Sequence, residues 1–496
     1  MAKKRKRQSP KRTNGQRNYL AGNLYDRFTS DWVTSDLNED ALARGIETVR
    51  KRSWQLWREN PYVIKLRSDL QANIFNAEDM ECGGFHFENK GVTLAGRVED
   101  ERANRQIEDG WKQFCAEGNI ASSFSNRQSV YDQNVQAFNH IFNDGDVLIQ
   151  IYRGFPNDQQ FACGLISGQR IPSHFNDSDR KDGTEIVNGV HVGQFGQHLG
   201  YYVGEKDSEF WGHYESRPPK FVPSTSAIFP FQQLCIAHRG TPWLAAAMLS
   251  LRHLSKYEEA EVIAARIQAC QMGFFTGGDP TDYVGDEIDA QGRSNIKTEP
   301  GTFRDVPNGK DFAQFKPEHP NGNYPDFRKA MLRGIAASFP TPYCTISQDL
   351  EGVNFSSIRQ GILEARDLYK VLQALFVRRV EIPRYEAWLE WTLISGRIKG
   401  ADISDFRRLN KPCFLGRRWP WVDPLKDLQA AKLERELVLT SPRRQAASVS
   451  SSDFKTMVVE AGEDKKLLKQ ADLFIEEKPP AGQPTKPKDD EEDGDS

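Results

Sequence analysis

One stretch constrains the fold of this chain more than any other: a long helical run, an irregular excursion, then a second helix. Thr241 and Pro242 form a helix start, because Thr can cap and Pro suits the first turn. From there to Met272 the run carries Leu244, Met248, Leu251, Ala260, Ile263, Ala264, Ile267 and Cys270. Another face carries Arg252, Lys256, Glu258, Glu259, Glu261 and Arg266. About thirty residues at about 1.5 Å each reach roughly 45 Å, longer than a compact core usually needs. Residues 273 to 325 are then punctuated by Gly277-Gly278, Asp279-Pro280, Glu299-Pro300-Gly301, Pro307, Pro317, Pro320 and Gly322. That composition predicts loops with a few short strands. The second helix is predicted from about Asp326 to Ser338. The excursion therefore lies between two helices, the first of them charged along its flank.

The chain on either side reads as mixed α and β. With 496 residues it is too long for one ordinary core, so two or three modules are expected. Helical spacing runs from Asn38 to Asn76, interrupted by Pro61, and again over about Arg105 to Ala116 and Asn126 to Asn139. The period then changes. Asp146 to Arg153 is rich in β-branched residues, and Ile186 to Val203 alternates around Asn188-Gly189, which predicts strands with a tight turn. After the hairpin, Pro340 and Pro342 close the second helix and Ser347 to Asn354 is a polar loop. A helix from Phe355 to about Arg379 follows, Pro383 breaks the pattern, and Tyr385 to Ile394 resumes it.

Composition excludes several classes. Ten Trp and 29 Phe mark a globular chain. A formal net charge of -3 argues against gripping DNA by phosphate neutralisation over the whole surface. No apolar run is long enough to span a membrane. The seven cysteines (Cys82, Cys115, Cys163, Cys235, Cys270, Cys344 and Cys413) are scattered without CxxC spacing, which fits reduced thiols better than disulfides or zinc. The basic residues at 1–19 have no apolar segment behind them, so they read as a disordered arm and not a secretory signal. From 441 to 496 the chain is rich in Ser, Pro, Lys and Asp, which predicts a mostly disordered acidic tail with a short helix near Asp464 to Phe474.

A search for chemistry finds none of the recognisable phosphate-cradling, metalloprotease or nucleophile-elbow motifs. Asp144 and Asp146 could bind a metal, which makes a metal-dependent nuclease the alternative reading, although Asp-Gly-Asp is more often a turn. His86 lies among aromatics and reads as a satisfied core residue. Cys235 and His238 stand near each other at the entry to the long helix, where a structural role is favoured. No catalytic residue, metal site or cofactor is expected.

Several stretches in fixed order resemble the portal proteins of lambda-type phages. They include His238-Arg-Gly-Thr-Pro-Trp-Leu-Ala245, Tyr257-Glu-Glu-Ala-Glu261, Glu299-Pro-Gly-Thr302 and Pro317-Glu-His-Pro320. Leu332-Arg-Gly-Ile-Ala-Ala337, Pro342-Tyr343, Asn354-Phe-Ser-Ser357 with Arg359, Gly361 and Glu364, Trp388-Leu-Glu390 and Trp421-Val-Asp-Pro424 follow. Weaker similarity reaches back through Asp144-Gly-Asp146 to Asn60-Pro-Tyr62.

The resemblance implies an α+β portal fold. It would have a wing at 20–240 and 355–394, stem helices at 241–272 and 326–338, and a clip at 273–325. A tunnel loop would fall at 339–354 and a mainly helical crown at 395–440. It further implies a homododecameric ring at one capsid vertex of a virion, assembled in the host bacterial cytoplasm. That ring would pass double-stranded DNA without reading its sequence, during packaging and ejection. The implied partners are the terminase large subunit, the major capsid and scaffold or protease proteins, and head-completion or tail connector proteins, with no membrane. Gln348, Asp349, Glu351 and Asn354 would line the channel. Arg252, Lys256, Glu258, Glu259, Glu261 and Arg266 would face neighbouring subunits along the stem.

Overall fold

The computed structural model describes residues 39–471, apart from 95, 97, 122–126, 179, 181, 205–217, 233–236, 270–272, 277–286, 289–293, 296–310, 315–321, 340, 350, 352–353, 421–422 and 451–453. The basic arm expected at 1–19, the last part of the acidic tail and most of the excursion lie outside the described residues.

The body begins with α1 (Glu39–Glu59) and α2 (Pro61–Ile74). Pro61 separates them, and Asn60 caps the second by accepting from the backbone N–H groups of Tyr62 and Val63. Val63, Leu66, Leu70 and Ile74 fall on one face of α2 and are buried. Strand β1 (His86–Asn89) leads to α3 (Glu101–Cys115), which buries Ile107, Trp111 and Phe114. Ser129 and Asp132 form a capping box for α4 (Val130–Asp144), which ends at Gly145 with φ 90.

Two antiparallel sheets follow. Strand β2 (Val147–Arg153) pairs along its length with β3 (Phe161–Ser167), from Val147 opposite Ser167 to Arg153 opposite Phe161. Strands β4 (Glu185–Val187), β5 (Val190–Val192), β6 (His198–Val203) and β7 (Lys220–Pro223) form a meander. Asn188 and Gly189 turn between β4 and β5 at φ 52 and 79, the left-handed pair a tight hairpin needs. A short β8 (Ala227–Ile228) covers the free edge of β2.

The hairpin then leaves the body as α5 (Met248–Ala269) and returns as α6 (Tyr324–Ala336). Pro242 precedes a 3-10 turn at Trp243–Ala246, so the long helix starts at Met248, later than Thr241 predicts. Beyond it β9 (Gly273–Thr276) pairs antiparallel with β12 (Asp311–Gln314), and β10 (Glu287–Ile288) with β11 (Ser294–Asn295). The loop after α6 contains a short α7 (Tyr343–Ser347).

Helix α8 (Phe355–Phe376) does not stop before Pro383. A π-helical turn at Val377–Glu381 carries it into α9 (Ile382–Ile394), with Pro383 at the start of α9. The proline forgoes one backbone bond to the preceding turn, and the wide π turn makes room for its ring. The same turn places Glu381 in the core, where its Oε1 accepts from Asn134 Nδ2 at 2.6 Å and Arg384 Nη1 at 2.9 Å. After α10 (Phe406–Leu409), β13 (Pro412–Leu415) pairs with β1.

These elements close one large aromatic core. Trp111 meets Trp388 edge to face at 5.3 Å, and Phe75 meets Phe376 at 5.1 Å. Leu148, Ile166, Val190, Val192, Tyr201 and Val222 form a smaller core between the two sheets. The chain ends in α11 (Pro424–Glu436), α12 (Pro442–Val449) and α13 (Phe454–Gln470). Two of these helices fall where a mostly disordered tail is expected. Ser441 caps α12 and Pro442 opens it, local signals that act without any buried core.

Candidate functional site: the projecting hairpin, its base and the loop behind it

Burial falls along α5 in the direction of the chain. Leu251 and Leu254 near its start are packed into the main core, whereas Val262 is 59% exposed and Ile263 is 48% exposed. Helix α6 shows the reverse order, with Phe327 exposed near its start and Leu332 and Ile335 buried near its end. The helices are antiparallel and touch through Tyr257, whose ring lies 4.7 Å from Phe327 and 6.0 Å from Tyr324.

The six charged stem residues divide into two groups. Arg252, Lys256, Glu259 and Arg266 are exposed, and Lys256 Nζ pairs with Glu259 Oε2 at 2.6 Å. Arg252, Lys256 and Glu259 join Arg52 and Glu59 of α1 in a groove of about 670 Å³. Glu258 instead turns inward. It accepts from the Tyr62 hydroxyl at 2.6 Å and pairs with Arg328 Nε at 3.3 Å. Burial and the bond to Glu258 push the Tyr62 hydroxyl up to about 12. Glu258 therefore ties both hairpin helices to α2. Glu261 is half-buried farther along.

At the base of the hairpin lies an anchor that sequence reasoning did not identify. Arg239 donates from Nε to Asp146 Oδ2 at 2.6 Å and from Nη2 to Asp146 Oδ1 at 3.0 Å. The same guanidinium donates to the carbonyls of Ile171, Asn188 and Gly168 at 3.2, 2.9 and 2.8 Å. Arg50 of α1 adds Nη2 to Asp146 Oδ2 at 3.1 Å and donates from Nε to the Asp144 carbonyl at 2.7 Å. The Gly240 N–H completes the shell of Asp146 at 3.2 Å. Burial pushes the Asp146 carboxyl up, but Arg239, Arg50 and the hydrogen bonds outweigh it and hold the group below its ordinary range. The segment entering the hairpin is thus locked to α1 and to both sheets. Asp144-Gly-Asp146 and His238-Arg-Gly240 both stand among the portal-like stretches, but nothing in their spacing shows that they meet.

This geometry overturns the metal-site reading of Asp144 and Asp146. A cation needs free carboxylate lone pairs, and those of Asp146 are taken by two arginines and an amide. Asp144 is equally occupied: Oδ1 accepts from Trp54 Nε1 at 2.7 Å and Gln169 Nε2 at 2.8 Å. Its Oδ2 lies 2.7 Å from His140 Nδ1 and accepts from Ser167 Oγ at 3.2 Å. The two carboxylates enter separate networks. Among the described residues no group of three or more His, Cys, Asp or Glu could hold a metal ion.

The other titratable candidates are structural. His86 is half-buried and not a core residue, with Asp79 and Glu88 each 3.4 Å from a ring nitrogen. Its hydrogen bonds to Asp79 and Glu88 push it up to about 9. His238 lies 3.1 Å from His198, and burial together with His238 and Arg239 pushes His198 down to about 4. Cys235 lies outside the described residues.

In the loop behind α6, Gln348, Glu351 and Asn354 are exposed. Gln348 sits at φ 55 and donates to the Thr345 carbonyl at 2.9 Å. Asp349 is turned in: it accepts from the Tyr343 hydroxyl at 3.1 Å, from the Glu351 N–H at 3.0 Å, and pairs with Lys329 Nζ of α6 at 3.5 Å. Those bonds hold its carboxyl below the ordinary range, the Glu351 amide most of all.

The body is mixed α+β, and its conspicuous carboxylates are spent on structure. The family model of the lambda family of phage portal proteins matches residues 25–373, more than half of the chain. The chain belongs to that family, whose members are structural components of the phage virion's head–tail connector and not enzymes. A probable portal protein of the Halomonas phage phiHAP-1 is 28% identical over 428 residues, covering 84% of this chain and 80% of the relative. Solved structures give distant likenesses. The neck of an empty gene transfer agent particle, computed with C6 symmetry, matches with a TM-score of 0.41 at 11% identity, covering 82% of this chain and 94% of that one. An HK97 family phage portal protein from Corynebacterium diphtheriae matches with a TM-score of 0.31 at 10% identity, covering 62% and 85%.

Proposed function

We propose that twelve copies of this chain close into a ring at one capsid vertex and conduct double-stranded DNA during packaging and ejection. The observation that carries this reading is the hairpin of α5 and α6. Among the described residues its distal half is exposed, and its base is bolted to the body by Glu258, Arg328 and the Arg239–Asp146 pair. A bare helix with apolar Val262 and Ile263 on its surface gains stability when copies stand side by side. Arg252, Lys256, Glu259 and Arg266 then meet complementary charges on the neighbour, while Glu258 serves within its own subunit.

In this reading α5 and α6 are the stem, the strands at 273–314 belong to the clip, and the body carrying both sheets is the wing. The crown is read at 395–440, and its strand β13 pairs with β1 of the wing. The clip docks the terminase motor during filling and head-completion or tail proteins afterwards, and the capsid and scaffold proteins surround the wing. Assembly takes place in the host bacterial cytoplasm.

The loop after α6 is the tunnel loop, and Gln348, Glu351 and Asn354 present polar or acidic groups to passing DNA. Each cationic contact to a phosphate strengthens binding through counterion release, so an uncharged or acidic lining lets the duplex slide. Asp349, the fourth residue expected to line the channel, also shapes the loop through Tyr343 and Lys329. Native mass spectrometry of the purified chain tests the proposal. A species of about twelve subunit masses is expected, and a stable monomer at micromolar concentration would overturn it.

A further inference from the structure

Between β13 and α11 the chain runs as a strap, residues 416–420, fastened to α2 and α8. Gln373 of α8 donates to the Arg417 carbonyl at 3.1 Å, and Trp419 donates from Nε1 to Asn73 Oδ1 of α2 at 2.7 Å. The strap carries two cations, Arg417 and Arg418, and no acid. Arg366 of α8 joins it by donating from Nη1 to the Pro420 carbonyl at 3.2 Å, with its guanidinium carbon 5.8 Å from the centre of the Trp419 ring. Arg417 donates to the Ala72 carbonyl of α2.

These three guanidinium groups have no carboxylate of their own. None makes an ion pair among the described residues, and Arg418 makes no hydrogen bond there either, its Nε being buried without a partner. The acids of α2 and α8, and the first of α11, are committed elsewhere. Asp69 accepts from the Tyr369 hydroxyl at 2.6 Å and Glu364 from Gln360 at 3.1 Å. Asp367 pairs with Lys370 at 2.9 Å and Asp427 with Arg359 at 2.8 Å. Of these only the charge of Asp427 also reaches Arg366. Burial pushes Arg418 down from its ordinary range, and burial followed by the charge of Arg417 does the same to Arg366. Arginine keeps its proton in a protein, so a desolvated guanidinium without a carboxylate calls for an anion from outside.

The planar fork of a guanidinium matches two oxygens of a phosphate, and Trp419 offers Arg366 a face to stack on. The charge logic is the reverse of that proposed for the loop at 348–354. Cationic contacts hold a duplex through counterion release, where a polar or acidic lining lets it slide. We infer that Arg366, Arg417 and Arg418 bind phosphate groups, and that the backbone of duplex DNA supplies them. The choice of DNA rests on the proposed conducting ring, whereas the phosphate site rests on the arginines alone.

Phenylglyoxal, which modifies accessible guanidinium groups, tests this on the full-length chain with and without a short DNA duplex. Tandem mass spectrometry reads each arginine, with exposed Arg102 of α3 as the control, and native mass is measured in parallel. The duplex is expected to cut labelling of Arg366 and Arg418 at least threefold and to leave Arg102 unchanged. Protection by inorganic phosphate with none by the duplex would keep the site and overturn DNA as its source. No protection by either, or full protection before anything is added, would overturn the inference and leave the ring standing. A monomeric chain still protected by phosphate would overturn the ring and not the site.

Discussion

Arg239 holds both carboxylate oxygens of Asp146, at 2.6 and 3.0 Å, from the residue just ahead of the turn that starts the hairpin. The pair is buried, and Arg50 presses on the same carboxylate. Removing one partner of a buried pair leaves the other charge uncompensated, at about 3–5 kcal/mol. Arg239→Ala and Asp146→Asn are expected to lose stability in that range in urea unfolding. Arg239→Lys should rescue little, since an ammonium cannot reproduce the two-pronged geometry. Wild-type stability for Asp146→Asn would contradict the anchor.

The anchor also depends on two glycines in contact. A Cβ on Gly145, which sits at φ 90, would meet the Gly240 carbonyl carbon at 2.4 Å, and a Cβ on Gly240 would meet the Gly145 oxygen at 2.0 Å. Either Ala substitution must part the two segments, and a loss of at least about 2 kcal/mol is expected. Gly154→Ala is the control. It shares a positive φ of 74 but has nothing within 4 Å of the added carbon, so only the strain of about 1 kcal/mol remains. Thermal unfolding of the three variants should rank them in that order.

Glu258 and Arg328 tie the two hairpin helices together beside Tyr62. The pair is partly exposed, so a double-mutant cycle of Glu258→Gln with Arg328→Met should return a coupling of about 0.5–1 kcal/mol. Zero coupling would show that the tie does not operate.

Histidine 86 gives a pH dependence with a definite sign. Its folded-state value is raised to about 9 by Asp79 and then Glu88, against about 6.5 when unfolded. The contribution is complete below pH 6.5 and is lost as pH rises through about 9. His198 has the opposite sign: pushed down to about 4, it contributes above pH 6.5 and its contribution is lost as pH falls toward 4. Unfolding free energies of His86→Asn should lose the alkaline slope and keep the acidic one. An unchanged slope between pH 6.5 and 9 would contradict the ion-paired geometry.

The hairpin was legible in the sequence because α5 and α6 are bounded by Pro and Gly and spaced by local periodicity. The turn at Asn188-Gly189 was legible for the same reason. The anchor was not, since Arg50, Asp146 and Arg239 are joined only through the tertiary fold, and an Asp-Gly-Asp turn looks the same whether or not arginines close over it. Pro383 misled because its helix-breaking effect assumes α-helical spacing, which the π turn at 377–381 relaxes. Helix α12 and the first part of α13 were not legible, because the segment has almost no aromatics to mark a buried face, although Ser441 and Pro442 mark a helix start; only the end of α13 falls within the short helix expected near Asp464 to Phe474.

In the proposed ring, copies of the paired helices α5 and α6 stand side by side around an axial opening wide enough for duplex DNA. Cryo-electron microscopy of the purified full-length chain tests it most directly. The account predicts a closed ring whose neighbouring subunits touch along α5 near Arg252, Lys256 and Glu259, with the Gln348 to Asn354 loop facing the hole. Particles without a central opening, or rings in which α5 and α6 touch no neighbour, would contradict it.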